Sequence, residues 1–164
     1  MIRLKNILVA TDFSEASGAA LAYGRDLARS YEGTLHVLHV ADNVMTRFTG
    51  EASMAFLPDL QLEVEKGARE RLQALLDDED HAMLHARPVV VTSMAISEAI
   101  SAYASDHQID LVVLGTHGRG AVAHFLLGSV AERVVRTAPC PVLTVKHPER
   151  EFLVPDALVP VDRG

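Results

Sequence analysis

The chain contains a single cysteine, Cys140, in 164 residues. One thiol cannot close an internal disulfide, so a disulfide-stapled secreted scaffold is excluded and a reducing cytosol is the expected setting. Long apolar runs are also missing: no window approaches the ~18 consecutive apolar residues of a membrane span. The opening Met1-Ile2-Arg3-Leu4-Lys5-Asn6 leads into a short apolar stretch, Ile7 to Ala10, without a small-residue cleavage site, so no export signal is read. Basic charge is in deficit, with 15 Lys and Arg against 22 Asp and Glu and a net charge of −7. That balance argues against general binding to nucleic acid or anionic membrane. A soluble, cytoplasmic protein is expected, with no nucleic-acid partner and no membrane span. Two nucleotide motifs are absent as well. No Gly-x-x-x-x-Gly-Lys-Ser/Thr loop occurs, which excludes a Walker A site. No Gly-x-Gly-x-x-Gly follows the first apolar run, which argues against a dinucleotide-binding Rossmann domain.

What remains is the composition of an ordinary globular chain, 49% hydrophobic and 23% charged with 10 Gly and 7 Pro. This excludes disorder, collagen and coiled coil as whole-chain readings. At ~150 residues per domain the length suits one domain that needs no metal or disulfide staple. We expect that domain over residues 1–147 and a tail over residues 148–164. In the tail, Pro148, Pro155 and Pro160 interrupt two apolar triplets.

Short β-branched runs alternate with helical patterns. Strands are expected at residues 4–11, 34–40, 89–91, 109–114 and 141–145. Helices are expected at residues 14–31, from Pro58 with Leu60, Val64, Ala68, Leu72 and Leu75 along one side, at 95–105 and at 129–137. Gly33 reads as the stop of the first helix. Residues 41–57 read as irregular, and Asp77-Asp78-Glu79-Asp80 as a solvated turn. Five strands alternating with four helices imply βαβ units and an open, mostly parallel sheet. In such sheets ligands sit beyond the carboxyl ends of the strands, where the strand order reverses.

The loop after the fourth strand reads Gly115-Thr116-His117-Gly118-Arg119-Gly120 and runs on to Gly128-Ser129. Gly115 and Gly118 let backbone turn tightly and approach a bulky group. Gly128 and Ser129 open a helix, whose N–H groups and dipole favour a phosphate. His117 and Arg119 add positive charge near the same point. Two plainer readings stand beside this one. Glycines are common in strand-to-helix loops, and Ser129 with Glu132 is a capping box by spacing. Asp12 has its own alternatives, a helix cap near Ser14 or a phosphoacceptor, but no acidic pair follows the first strand to support the latter. His36 and His39 are three apart on a strand and point to opposite faces, so they read as satisfied or surface histidines. Cys140 reads as a small packed residue.

Gly115-x-x-Gly118, nine residues, then Gly128-Ser129 resembles the ATP-binding signature of the universal stress protein family. The flanks agree, from Leu111 to Gly120 before it and from Leu126 to Val134 after it. Residues 138–143 and the opening Ile7-Leu8-Val9-Ala10-Thr11-Asp12-Phe13-Ser14 agree too. The resemblance spans roughly residues 2–146. It implies an α/β, flavodoxin- or Rossmann-like sheet of five parallel strands in the order 3-2-1-4-5 with helices on both faces. It further implies a homodimer through the fifth strand, residues 141–146. By position, Ala10, Thr11 and Asp12 would lie near the adenosine, with Asp12 on adenine or ribose, and Val40 would line the adenine pocket. Gly115, Gly118, Gly128, Ser129 and Val130 would hold ribose and phosphates, with His117 and Arg119 beside them. ATP, or AMP, cyclic AMP or another adenine nucleotide, is the implied ligand. Mg or Mn would ride on the phosphates without protein ligands.

The sequence departs from the family at Thr92-Ser93-Met94-Ala95, where a Gly- and Pro-containing turn is usual, and in the tail. The expected function is an ATP-binding regulatory or stress-response module. Nucleotide would order residues 115–128 and alter a surface or dimer edge read by an unknown protein partner. Slow Mg-dependent ATP hydrolysis, with Arg119 supplying charge, is the enzymatic alternative, and a dimeric scaffold that binds no nucleotide is a third. Apart from Asp12, no general base stands near the loop, so a binding module is preferred over an enzyme.

Overall fold

A computed structural model describes residues 1–46, 56–116 and 127–147. The order along the chain is β1 (Asn6–Ala10), α1 (Glu15–Tyr31), β2 (Thr34–Ala41), a short 3₁₀ turn (Val44–Thr46), α2 (Leu57–Leu75), α3 (Asp78–Met83), β3 (Arg87–Thr92), α4 (Ile96–Asp106), β4 (Leu111–Gly115), α5 (Ser129–Thr137) and β5 (Val142–Val145). All strand pairs are parallel and the sheet order is β3-β2-β1-β4-β5. The chain winds outward from β1 to β3, then returns to the far side of β1 for β4 and β5. The order therefore reverses between β1 and β4.

The continuous apolar runs of β1 and β4 follow from burial on both faces. Ile7, Val9, Leu35, Val37 and Val113 point to one side, against Ala20, Leu21 and Ala28 of α1 and Leu72 of α2. Leu8, Leu38, Val112 and Leu114 point to the other, against Ile100 and Ala104 of α4 and Ala131 and Val134 of α5. Among the described residues no helix is long and apolar enough to cross a membrane. The expected tail, residues 148–164, lies outside the described residues.

Two local expectations are corrected. The acidic run is a capped helix rather than a solvated turn. Asp77 caps α3, its side chain accepting from the Asp80 N–H at 2.8 Å while the Asp80 carboxylate accepts from the Asp77 N–H at 3.1 Å. Asp80 is 3% exposed and receives the Arg25 guanidinium at 2.6 and 2.8 Å. Burial pushes the Asp80 carboxyl up. The bonds from Arg25 and the Asp77 amide outweigh it and hold the group below its ordinary value. The partner lies 55 residues away in sequence, beyond the reach of local charge patterning.

Gly33, likewise, is not the left-handed stop of α1. Glu32 takes that conformation at φ 52°. Gly33 is needed because a Cβ there would meet the Leu4 carbonyl oxygen at 2.6 Å.

Candidate functional site

The reversal of strand order leaves a cavity of about 370 Å³ at the carboxyl ends of β1, β2 and β4. Ala10, Thr11 and Asp12 border it as the chain leaves β1, and Leu38, His39 and Val40 border it from β2. Leu114, Gly115 and Thr116 close it along β4, and Gly128, Ser129, Val130 and Ala131 present the start of α5. The expected residues Ala10, Thr11, Asp12, Val40, Gly115, Gly128, Ser129 and Val130 are thus brought together. His117, Gly118 and Arg119 lie outside the described residues. Ser17 of α1 and Ile96 and Ile100 of α4 also line the cavity. The sequence signal for the isoleucines was only their four-residue helical spacing. Ser17, one turn into α1, carried no signal.

The β1–α1 connection is knitted by its own side chains. The Ser14 Oγ accepts from the Ser17 N–H at 3.3 Å and caps α1. One oxygen of Asp12 accepts from the Ser14 N–H at 3.1 Å and from its hydroxyl at 2.5 Å. Asp12 is therefore not the cap. It orients the residue that is, while still bordering the cavity. Thr11 Oγ1 accepts from the Phe13 N–H at 3.0 Å and lies 3.0 Å from the Ser17 hydroxyl.

On the other wall, the Gly128 N–H donates to the Thr116 carbonyl at 2.7 Å, pinning the start of α5 to the end of β4. Gly128 is the N-cap and supplies no side-chain bond. The Ser129–Glu132 capping box does not form. Ser129 is already inside the helix, and Glu132 pairs with Arg136 at 2.7 Å. The first amides of a helix have no intrahelical acceptors. Here the residues that carry them, Ser129, Val130 and Ala131, line the cavity at the positive end of the helix dipole.

Gly115 does not use the left-handed backbone open to glycine, since no described glycine has positive φ. Its demand is for space: a Cβ would lie 3.0 Å from the Ala16 backbone of α1.

The described wall is mainly aliphatic, and Asp12 is its one charged side chain. Among the described residues no group of three or more His, Cys, Asp or Glu is placed to hold a metal. His36 and His39 do face opposite sides of the sheet. His36 Nδ1 lies 2.8 Å from the Tyr103 hydroxyl, and His39 Nδ1 donates to the Thr11 carbonyl at 2.8 Å. Cys140 is half-buried, and burial raises its thiol pKa, as suits a packed residue.

A doubly wound parallel sheet with a cavity at its switch point and a helix N-terminus in the wall places the chain among the open α/β domains, in which ligands generally sit at that point. The chain belongs to the universal stress protein family, whose model matches residues 3–146. It is 30% identical over 150 residues to a universal stress protein of Methanocaldococcus jannaschii, covering 90% of this chain and 85% of the relative. A universal stress protein of Thermus aquaticus is 34% identical over 146 residues, covering 87% of this chain and 98% of the relative. Among solved structures, the universal stress protein UspA of Lactobacillus plantarum superposes with a TM-score of 0.71 at 27% identity, covering 88% of this chain and 99% of that one. Two further structures share the fold. One is a universal stress protein in complex with cAMP, with a TM-score of 0.57 at 20% identity, covering 88% of this chain and 98% of that one. The other is the universal stress protein of Archaeoglobus fulgidus in complex with dAMP, with a TM-score of 0.55 at 18% identity, covering 89% of this chain and 100% of that one.

Proposed function

We propose that this chain binds an adenine nucleotide, ATP foremost, in the cavity at the β1/β4 switch and serves as a nucleotide-dependent regulatory module. The observation that carries the reading is the start of α5. Its cap has no side-chain bond, and its Ser129 is free of the capping box that would otherwise account for it. The same turn borders a cavity large enough for a ligand. A terminal phosphate belongs there, on the Ser129 and Val130 amides and the Ser129 hydroxyl. Ala10, Val40 and the two isoleucines of α4 offer an apolar slot for a purine, and Asp12 suits ribose hydroxyls as an acceptor. By sequence position Gly118, His117 and Arg119 join the phosphate end, and Mg or Mn rides on the phosphates. That two proteins of this fold hold cAMP and dAMP accords with the adenine class.

The regulatory reading includes a homodimer through residues 141–146, a cytoplasmic setting, and a domain over residues 1–147 with the tail apart. Occupancy signals by favouring one arrangement of the surface that a partner reads, which requires different nucleotide affinity for the two arrangements. Hydrolysis takes second place. Asp12 is engaged with Ser14 and is a poor general base, and no other described carboxylate borders the cavity.

The test is to denature the purified chain, identify any released nucleotide by mass spectrometry, and titrate the emptied protein with ATP and Mg²⁺. Saturable binding without ADP accumulating, lost in Gly118→Val, is the expected result. ADP that builds with time would replace the module with a slow ATPase. No nucleotide and no binding would overturn the site.

A further inference from the structure

The residue between Asp12 and the cap of α1 is Phe13, and its backbone is left-handed at φ 64°. A bulky aromatic rarely adopts that conformation, and it persists only where the surroundings over-determine it. Three contacts do so here. The Phe13 N–H donates to Thr11 Oγ1 at 3.0 Å. The ring lies against the His39 imidazole, centroids 4.5 Å apart. The Arg71 guanidinium of α2 sits over the ring, 3.9 Å from its centroid. His39 acts twice, because its Nδ1–H also donates to the Thr11 carbonyl at 2.8 Å. One imidazole thus holds the carbonyl that precedes Asp12 and supports the ring that follows it, so Asp12 is fixed from both sides. Arg71 lies outside the cavity wall and extends the brace to α2.

We propose that His39, Phe13 and Arg71 form a positioning stack that sets Thr11 and Asp12 for the ligand and couples the site to α2. The inference rests on the nucleotide reading above. Phe13 and Arg71 are positioning residues in it, acting through Asp12, while His39 holds the stack and also borders the cavity. Glycine would take the left-handed backbone at no steric cost. The ring is therefore held for its contacts rather than for the turn.

The test compares ATP–Mg²⁺ affinity, by calorimetry, across substitutions that separate the contacts. Phe13→Gly keeps the backbone accessible and removes the ring; affinity is expected to fall roughly tenfold. His39→Asn keeps a donor near the δ position and removes the ring, while His39→Phe keeps a ring and removes the donor. Each is expected to weaken binding less than His39→Ala. Arg71→Met is expected to cost roughly threefold and Arg71→Lys to restore it. Melting temperatures should stay within a few degrees of wild type in the Arg71 pair. Affinities equal to wild type across the set would overturn the stack as a positioning device. If the wild-type chain takes up no nucleotide, the binding reading fails by itself. Hydrogen exchange at the Phe13 and Ser14 amides then decides the stack. Faster exchange in Arg71→Met and His39→Ala supports it, and unchanged exchange overturns it.

Discussion

His36 makes the fold itself a pH meter, and the size of the effect follows from its surroundings. The side chain is 1% exposed on β2. Nδ1 meets the Tyr103 hydroxyl at 2.8 Å, while the buried Nε2 has no partner among the described residues. The Tyr103 ring in turn stacks on His107, centroids 3.8 Å apart. A proton on His36 would turn Nε2 into a charged, unpaired donor inside the core, with Arg87 and His107 repelling it. Burial first, then those two charges, lowers its pKa from 6.5 to about 4. The unfolded chain therefore binds this proton when the native one does not, so stability rises with pH. The contribution is complete above about pH 6.5 and drains as pH falls, reaching roughly 3 kcal/mol of lost stability below about pH 4, at 1.36 kcal/mol per pH unit. Between about pH 7 and about pH 5 the loss is about 2 kcal/mol. The assay is urea unfolding at both pH values for wild type and for His36→Leu/Tyr103→Phe, which removes both polar partners together and so leaves no orphan. The pH sensitivity of the double variant should be smaller by about 2 kcal/mol. Equal sensitivity in the two proteins would refute the assignment of a buried neutral imidazole.

Three other outcomes are expected. Asp80→Ala removes the acceptor of a partly exposed Arg25 and should cost about 2–3 kcal/mol in urea unfolding, below the full value of a wholly buried pair; the wild-type pair should also weaken only as pH falls below the ordinary carboxylate range and through the lowered pKa of Asp80. Gly115→Ala drives a methyl onto the Ala16 backbone, costing about 1–3 kcal/mol in thermal unfolding and weakening ATP binding by displacing the start of α1. Because Glu132 serves no capping box, Glu132→Ala should change stability by less than about 0.5 kcal/mol, as for an exposed helical pair; a larger loss would show that the α5 N-terminus is capped after all.

The alternating strands and helices are legible because they depend on local signals, whereas the strand order follows only from the resemblance to the family. β-branched runs buried on both faces and glycines at fixed offsets survive in one dimension, and eight of the expected site residues do border one cavity. Contacts between distant residues were not readable. Four acids in a row look solvated until Arg25 arrives from α1. Ser129 and Glu132 have capping-box spacing, yet the helix starts one residue too early for it, and Glu132 turns to Arg136 instead. Phe13 carried no sign of its left-handed backbone, because its supports come from β2 and α2. Gly33 reads from the sequence as a helix stop and Gly115 as a residue of tight turns and close approach. Each is required by a neighbouring backbone that passes too close for a Cβ, which turn propensity does not register.

The central claim is that an adenine nucleotide occupies the switch-point cavity, and amide chemical-shift mapping locates it most directly. On titration of the ¹⁵N-labelled chain with ATP and Mg²⁺, saturable shifts are predicted at Ala10, Asp12, Gly115, Ser129 and Val130, with the amides of Gly33 and Gln108, beside the amino ends of the strands, unmoved. Shifts confined to another surface, or none at saturating nucleotide, would contradict the account.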